Sequence, residues 1–379
     1  MIYADNAATT RISDRAFEKM IPFLCEQYGN ASSQYSLGVK AKRAIEQARK
    51  QIASAIGAAT SEIIFTSSAS EANSWLLRSV FESYCNEQQH VITSSIEHPS
   101  VLNACRSLQR HGVEVTYLPV NSTGRVSVKD VEAAIRPNTK LVSIMLANNE
   151  IGTIQPIAEI GAFLNKKDIL FHTDAVQAVG HIPISVKALQ VDFLTASAHK
   201  FNGAKGTGVL YKRAAIELQP MVFGGEQEQG LRAGTENIAG IVSAGVAIEE
   251  SISEMLEMAQ QMKAMVAETT KQIRAKIPSV RVHGDSKYKL PSIVNLGFDG
   301  VSGESLMHLL DLKGVCVSTS SACHSGKDEA SHVLIALGLS EQQAKSAIRI
   351  SYGKYNNFYE VDLVVKAVCD AYEKILTSR

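Results

Sequence analysis

The chain has 379 residues, 45% hydrophobic and 20% charged, with 38 Lys and Arg against 38 Asp and Glu. That length can bury a large core, one big domain with a smaller one beside it, and the even charge excludes a global field drawing the chain to nucleic acid or an anionic membrane. The N-terminal MIYADNAATT lacks a charged-then-apolar leader, runs such as LVSIMLA (141–147) are too short to span a bilayer, and six scattered cysteines without a C-x-x-C pair read as reduced thiols, so a cytoplasmic protein is expected.

Taken in chain order, short β-branched runs alternate with amphipathic helical patterns, which predicts an α/β fold around a mostly parallel sheet. Strands are expected at 63–66 (IIFT), 90–93 (HVIT), 114–118 (EVTYL), 141–146 (LVSIML), 169–173 (ILFHT), 192–196 (DFLTA) and 207–211 (TGVLY). A helix is expected over 38–57, stopped by Gly57, and a long one over 247–277. Its Met255, Met258, Met262 and Met265 fall at helical spacing and read as packing. Beyond it come the shorter strands VRVH, PSIVNLGF, VCVS and AIRIS, then a closing helix near 359–376. The change of rhythm puts a boundary inside the long helix: 13–255 as the large domain and 256–379 as the small one, with 1–12 packing on the latter.

Ligands of α/β sheets bind beyond the carboxyl ends of the strands, and five predicted strands deliver polar groups there. IIFT is followed by SSASEAN (67–73), HVIT by a segment with His98, and LVSIML by Asn148 and Asn149. ILFHT is followed by Asp174 and Gln177, and DFLTA by Ser197, His199 and Lys200. A lysine delivered inward by a hydrophobic strand is unusual, because burying an ammonium is costly. Pyridoxal phosphate chemistry uses this set: a lysine amine to condense with the aldehyde, a carboxylate at the ring nitrogen and an anion cradle at a helix start. Lys200 takes the first role, with burial lowering its basicity, and Asp174 the second. Ser68, Ala69 and Ser70 with Ser197 and His199 make the cradle. His98 stacks on the ring and shuttles protons, and Asn149 and Gln177 face the ring oxygen. Each residue alone has a plainer reading: Asp174 and His98 as helix caps, Arg349 as half of a structural ion pair, the serines as caps. GAKGTG lacks dinucleotide-fingerprint spacing, and no zinc pattern is present.

The motifs ADNAATT, TSSASEAN, SIEHPSV, NNEIGTIQP, HTDAVQA, SAHKFNGAKGTG, GGEQEQGLRAGTEN, SSACHSG and AIRISYG, in this order over essentially the whole chain, resemble the NifS/IscS-type (group I) cysteine desulfurases. These are class V, fold-type I pyridoxal phosphate enzymes, with a seven-stranded, mostly parallel sheet in the large domain and a smaller α+β C-terminal domain. The resemblance implies conversion of L-cysteine to L-alanine with a persulfide left on Cys323, Lys200 carrying the cofactor and Arg349 with Asn149 binding the substrate. It also implies Thr235 reaching the phosphate of the partner subunit in a homodimer, and sulfur delivery to an acceptor protein of iron–sulfur scaffold or tRNA thiolase type. The short tail after the last helix leans toward tRNA thiolation. Cys323 lies in a small-residue stretch with His324 and Lys327 nearby, a setting in which a thiolate can form. The sequence departs from the family pattern at Ser68 and Ser320, where glycine is usual, and at Tyr35 and Gln229, where histidine and arginine are usual. A selenocysteine lyase or class V aminotransferase would use the same set without Cys323, and a silent sulfur-relay or scaffold subunit would use none of it.

Overall fold

The computed structural model describes residues 1–82, 88–167, 169–319 and 330–377. The strands found among them are β1 (Ile2–Tyr3), β2 (Ile63–Thr66), β3 (His90–Ser94), β4 (Glu114–Leu118), β5 (Thr139–Ser143), β6 (Leu170–Asp174), β7 (Phe193–Ser197), β8 (Gly208–Lys212), β9 (Arg281–His283), β10 (Ile293–Gly297), β11 (Val315–Cys316), β12 (Ser318–Thr319) and β13 (Ala347–Ser351). The main sheet has seven strands in the order β2-β8-β7-β6-β5-β3-β4. Only β8 runs antiparallel to its neighbours. Strands covered on both faces read as continuous apolar runs, and every residue of β2, β3, β7 and β8 is buried. The α/β architecture expected from the alternation is the one found, and the parallel strands point their carboxyl ends to one edge.

Three elements differ from the expected ones. The run 141–146 pairs with β3 only as far as Ser143, after which Ile144 and Leu146 still donate to His172 and Asp174 on one side. VCVS divides between two sheets: β11 lies parallel to β1 from the far N-terminus, while β12 joins the four-stranded antiparallel sheet β12-β13-β10-β9. The long helix begins at Ile238 rather than Ala247, capped by the Asn237 side chain. Residues 238–248 are all buried, so that stretch has no polar face from which a helical period could be read.

This helix, Ile238–Lys276, is about 58 Å long at 1.5 Å per residue. Ile241, Ala244 and Ile248 belong to the core beneath the main sheet, while Met262, Met265 and Ile273 belong to a second core with Val294, Ile348 and Val365. The methionines are packing, as expected, with Met258 partly buried against the second core. The helix lies close against Ser36–Ile56: a Cβ on Gly245 would sit 2.6 Å from the Ala48 Cα, so only glycine fits at the crossing.

Arg49 of that neighbouring helix forks onto Glu228, at 2.7 and 2.9 Å, and the same carboxylate accepts the Phe65 N–H at 2.8 Å. Both side chains are buried. Glu228 and Gln229 hold left-handed backbone (φ 45° and 64°), which costs non-glycine residues free energy, and the ion pair ties that turn to the edge of β2. Replacing Arg49 by Met leaves a buried, unpaired carboxylate. The expected loss is about 3 kcal/mol or more, read as a lowered urea midpoint in equilibrium unfolding.

Candidate active site

The carboxyl edge of the main sheet opens onto a cavity of about 330 Å³. Lys200, Asp174, His98, Gln177, Asn149, Ala69, Ser70, Ser197, His199 and Arg349 all line it, as do Ser68, Ser100 and the N-terminal residues Ala7 and Ala8. Of the remaining expected site residues, Thr235 is exposed in the loop before the long helix and does not line this cavity. Cys323 lies outside the described residues, as does Ser320. Thr319, four residues before Cys323 in the chain, lines the cavity.

Lys200 ends a single helical turn directly after β7, so the strand delivers it to the edge and the turn aims it across. Its Nζ donates to the carbonyls of Ala7 and Ala8, each at 2.7 Å, and Gln177 Nε2 donates to the same Ala7 carbonyl at 2.8 Å. The N-terminal segment is therefore a wall of the site. It is held by a bridge between Asp5 and Ser351 and by the Ser351 hydroxyl on the Ala7 N–H.

Asp174 closes β6 and is 5% exposed. One of its oxygens takes Asn73 Nδ2 at 2.8 Å and the other the Val176 N–H at 3.0 Å. His98 caps the helix Pro99–Arg110 and also lines the cavity. Burial pushes its pKa down, with Asp174 opposing and Lys200 adding to the fall. His199 is pushed down to about 4 by burial and by Lys200.

The helix Ala69–Glu82 starts at the cavity, and its first amides have no preceding helical carbonyl to serve. The Ser68 hydroxyl accepts the Glu71 N–H, so the residue that departs from glycine acts as a helix cap. A Cβ on Gly208 would meet the Ser68 carbonyl carbon at 2.3 Å, which explains a glycine requirement just after the lysine turn. The helix start, Ser70, Ser197 and His199 together offer amides, hydroxyls and an imidazole around one end of the cavity. Tyr35 is exposed beside the start of the helix Ser36–Ile56.

Arg349 projects from β13 and is 5% exposed. Its Nη1 donates to the Asn149 carbonyl at 2.9 Å and its Nη2 to Asp5 at 2.6 Å, while its buried Nε has no partner among the described residues. Arg349 is thus both a member of an ion pair and a wall of the cavity, with donor capacity left over.

Sequence reasoning missed Asp5, Asn73, Ser100 and two buried glutamates. Burial pushes Glu97 up to about 8 and Glu150 up to about 7. Glu97 accepts from Ser94 and the Met145 N–H, and Glu150 accepts the Ser331 hydroxyl. Asp5 and Asn73 sit inside the motifs ADNAATT and TSSASEAN, but nothing local shows that a residue 344 positions away completes the Asp5 pair.

A buried carboxylate, an amine, an imidazole and a helix N-terminus lining one cavity match the four ends of pyridoxal phosphate in kind, and no described group of three or more His, Cys, Asp or Glu could hold a metal. Among the described residues no helix is long and apolar enough to cross a membrane. Residues 2–364 match the family described as aminotransferase class-V, and the chain belongs to that family. Within it, the protein is 44% identical over 374 residues to "Cysteine desulfurase IscS" of Methanosarcina thermophila, covering 99% of this chain and 92% of that one. It is 43% identical over 371 residues to "Cysteine desulfurase IscS" of Clostridium botulinum, covering 97% and 93%. A solved structure titled "NIFS-LIKE PROTEIN" superposes with a TM-score of 0.93 at 39% identity, over 98% of this chain and 99% of that one. Another, "SspA in complex with cysteine", gives 0.84 at 38% identity over 94% and 100%.

Proposed function

We propose that this protein is a pyridoxal phosphate-dependent cysteine desulfurase that converts L-cysteine to L-alanine and takes the sulfur as a persulfide on Cys323. The observation that carries the reading is the convergence of Lys200, Asp174 and Arg349 on one cavity, in a chain whose relatives are named cysteine desulfurases.

In this reading Lys200 would hold the cofactor aldehyde, Asp174 would keep the ring nitrogen protonated, and Gln177 and Asn149 would hold the ring oxygen. Ala69, Ser70, Ser197 and His199 would hold the phosphate, and His98 would contact the ring. The chemistry the bound cofactor supplies is storage of the electron pair released at the substrate Cα. Arg349, already turned by Asp5 and the Asn149 carbonyl, forks onto the substrate carboxylate. The Lys200 amine, aimed into the cavity, would move the proton at the substrate Cα. The Cys323 thiolate then attacks the substrate Sγ: the new S–S bond forms, the Cβ–S bond breaks, and its electron pair stays on carbon, which takes a proton to give alanine. Cysteine and the enzyme thiol are thereby converted to alanine and the enzyme persulfide, with no outside oxidant or reductant.

The same reading takes the chain to be a cytoplasmic homodimer in which Thr235 of one copy reaches the phosphate held by the other; its exposure on a loop pinned by the Arg49–Glu228 pair supports this. The chain divides into a large domain over 13–255 and a small one over 256–379, with 1–12 on the latter, and an acceptor of iron–sulfur scaffold or tRNA thiolase type receives the sulfur. The test is incubation of the cofactor-loaded protein with L-cysteine. Alanine and protein-bound sulfur are expected in equal amounts in the first turnover, and alanine without bound sulfur would remove the desulfurase reading. Arg349→Lys keeps a charge but not the planar fork. Steady-state kinetics are expected to show KM for L-cysteine raised about tenfold to a hundredfold, with a smaller change in kcat.

A further inference from the structure

Asn73 is completely buried one turn into the helix Ala69–Glu82, and all of its amide's partners are protein groups. Its Nδ2 donates to Asp174 at 2.8 Å and to the Ser100 hydroxyl at 2.9 Å, while its Oδ1 accepts the Thr195 hydroxyl at 2.8 Å. A carboxylate only accepts, so the NH₂ end must face Asp174, and the amide cannot be turned over without setting two acceptors against each other. The Ser100 oxygen accepts a hydrogen bond from Asn73, which leaves its own O–H to donate to His98 Nδ1, 2.8 Å away, when that nitrogen is the acceptor. The Ser100 backbone N–H points at the same nitrogen, at 3.2 Å.

We propose that Asn73 is a positioning residue that sets the polarity of a hydrogen-bond relay running Asp174–Asn73–Ser100–His98, so that His98 is held as the tautomer with its proton on Nε2 while the Asp174 carboxylate is tethered at its other end. The relay couples the two groups assigned above to the ring nitrogen and the ring face, and in that respect it rests on the cofactor reading. Its polarity is a property of the chain alone. Two donors aimed at Nδ1 leave that nitrogen no room to hold a proton. The charged groups that face His98 are Asp174 and Lys200, and the buried Glu97 precedes it in the chain.

The test uses the full-length protein labelled with ¹⁵N-histidine, read by two-bond proton–nitrogen correlation with and without pyridoxal phosphate, His98 being assigned by the signal lost in His98→Gln. The wild type is expected to show His98 as the Nε2–H tautomer at pH 7.5; an Nδ1–H tautomer or an imidazolium there overturns the proposal without any further variant. In Asn73→Ala the Ser100 oxygen loses its donor and is free to turn and accept from Nδ1, so part of the His98 signal is expected to move to the Nδ1–H tautomer; an unchanged tautomer overturns the role given to Asn73. The double variant Asn73→Ala with Ser100→Ala removes the hydroxyl that would accept from Nδ1: His98 is expected to return to the Nε2–H tautomer, and persistence of the Nδ1–H form overturns the relay. Failure of the protein to take up pyridoxal phosphate would sink the cofactor reading and leave the tautomer result in the cofactor-free protein standing.

Discussion

A Lys200→Ala protein, mixed with pyridoxal phosphate and freed of excess by gel filtration, is expected to stay colourless where the wild type turns yellow, and to form alanine from cysteine at about one ten-thousandth of the wild-type rate or less. The size of the loss follows from Lys200 belonging to a unit: when one member of such a set is removed, the others act on nothing. In the structure the amine is held by two carbonyls of the N-terminal wall at 2.7 Å, inside the cavity that also holds Asp174. A methyl group reaches neither. Because Lys200 is half-buried and these two bonds go to backbone carbonyls at the cavity wall, the variant should unfold within a few degrees of the wild type, so loss of colour and activity would report chemistry rather than collapse. Wild-type turnover by Lys200→Ala would end the pyridoxal phosphate reading, since no other described lysine lines the cavity.

What the sequence made legible follows from how local each signal is. β6 and β7 announce themselves as apolar runs, and the residues at their tips, Asp174 and Lys200, are placed by that fact alone. The same logic found His98 and the helix start at Ala69. Groups that act through distant partners were not legible in this way. Asp5 matters because β13 brings Arg349 to it, and Asn73 matters because the helix Pro99–Arg110, β6 and β7 bring Ser100, Asp174 and Thr195 to its amide. The carbonyls of Ala7 and Ala8 that receive Lys200 carry no side-chain signature at all. The start of the long helix was hidden for the opposite reason: Ile238–Ile248 is buried all round, and an amphipathic period needs one wet face. Glu97 and Glu150 look in sequence like ordinary surface carboxylates, and only their packing turns them into buried acids.

Cys323→Ser is the substitution that separates a desulfurase from its class-V relatives. The described cysteines supply the background. Burial pushes Cys105 up to about 12 and raises Cys316 and Cys369 as well, so none of the three is disposed to form a thiolate. Cys25 is exposed on the short helix Pro22–Cys25, and none of the four lines the cavity. Cys323 and Cys85 lie outside the described residues, and only Cys323 follows closely on a cavity wall, Thr319. A free thiol with a pKa near about 8.5 is partly ionised at assay pH and is a strong nucleophile toward sulfur, whereas a serine hydroxyl stays protonated and forms no stable bond to it. With serine in place, the protein should still turn yellow with pyridoxal phosphate and should still change spectrum when cysteine is added, because Lys200, Asp174 and Arg349 are untouched. Alanine formation from cysteine should fall to about one thousandth or less. The peptide carrying position 323, which in the wild type gains the mass of one sulfur atom after incubation with cysteine, should gain nothing, while Cys25→Ser should leave both readouts unchanged. Selenocysteine cleavage retained by Cys323→Ser would fit a weaker carbon–selenium bond that needs no attacking thiol. Undiminished alanine release from cysteine would mean that sulfur leaves without passing through Cys323, and the protein would then be a class-V enzyme of another kind.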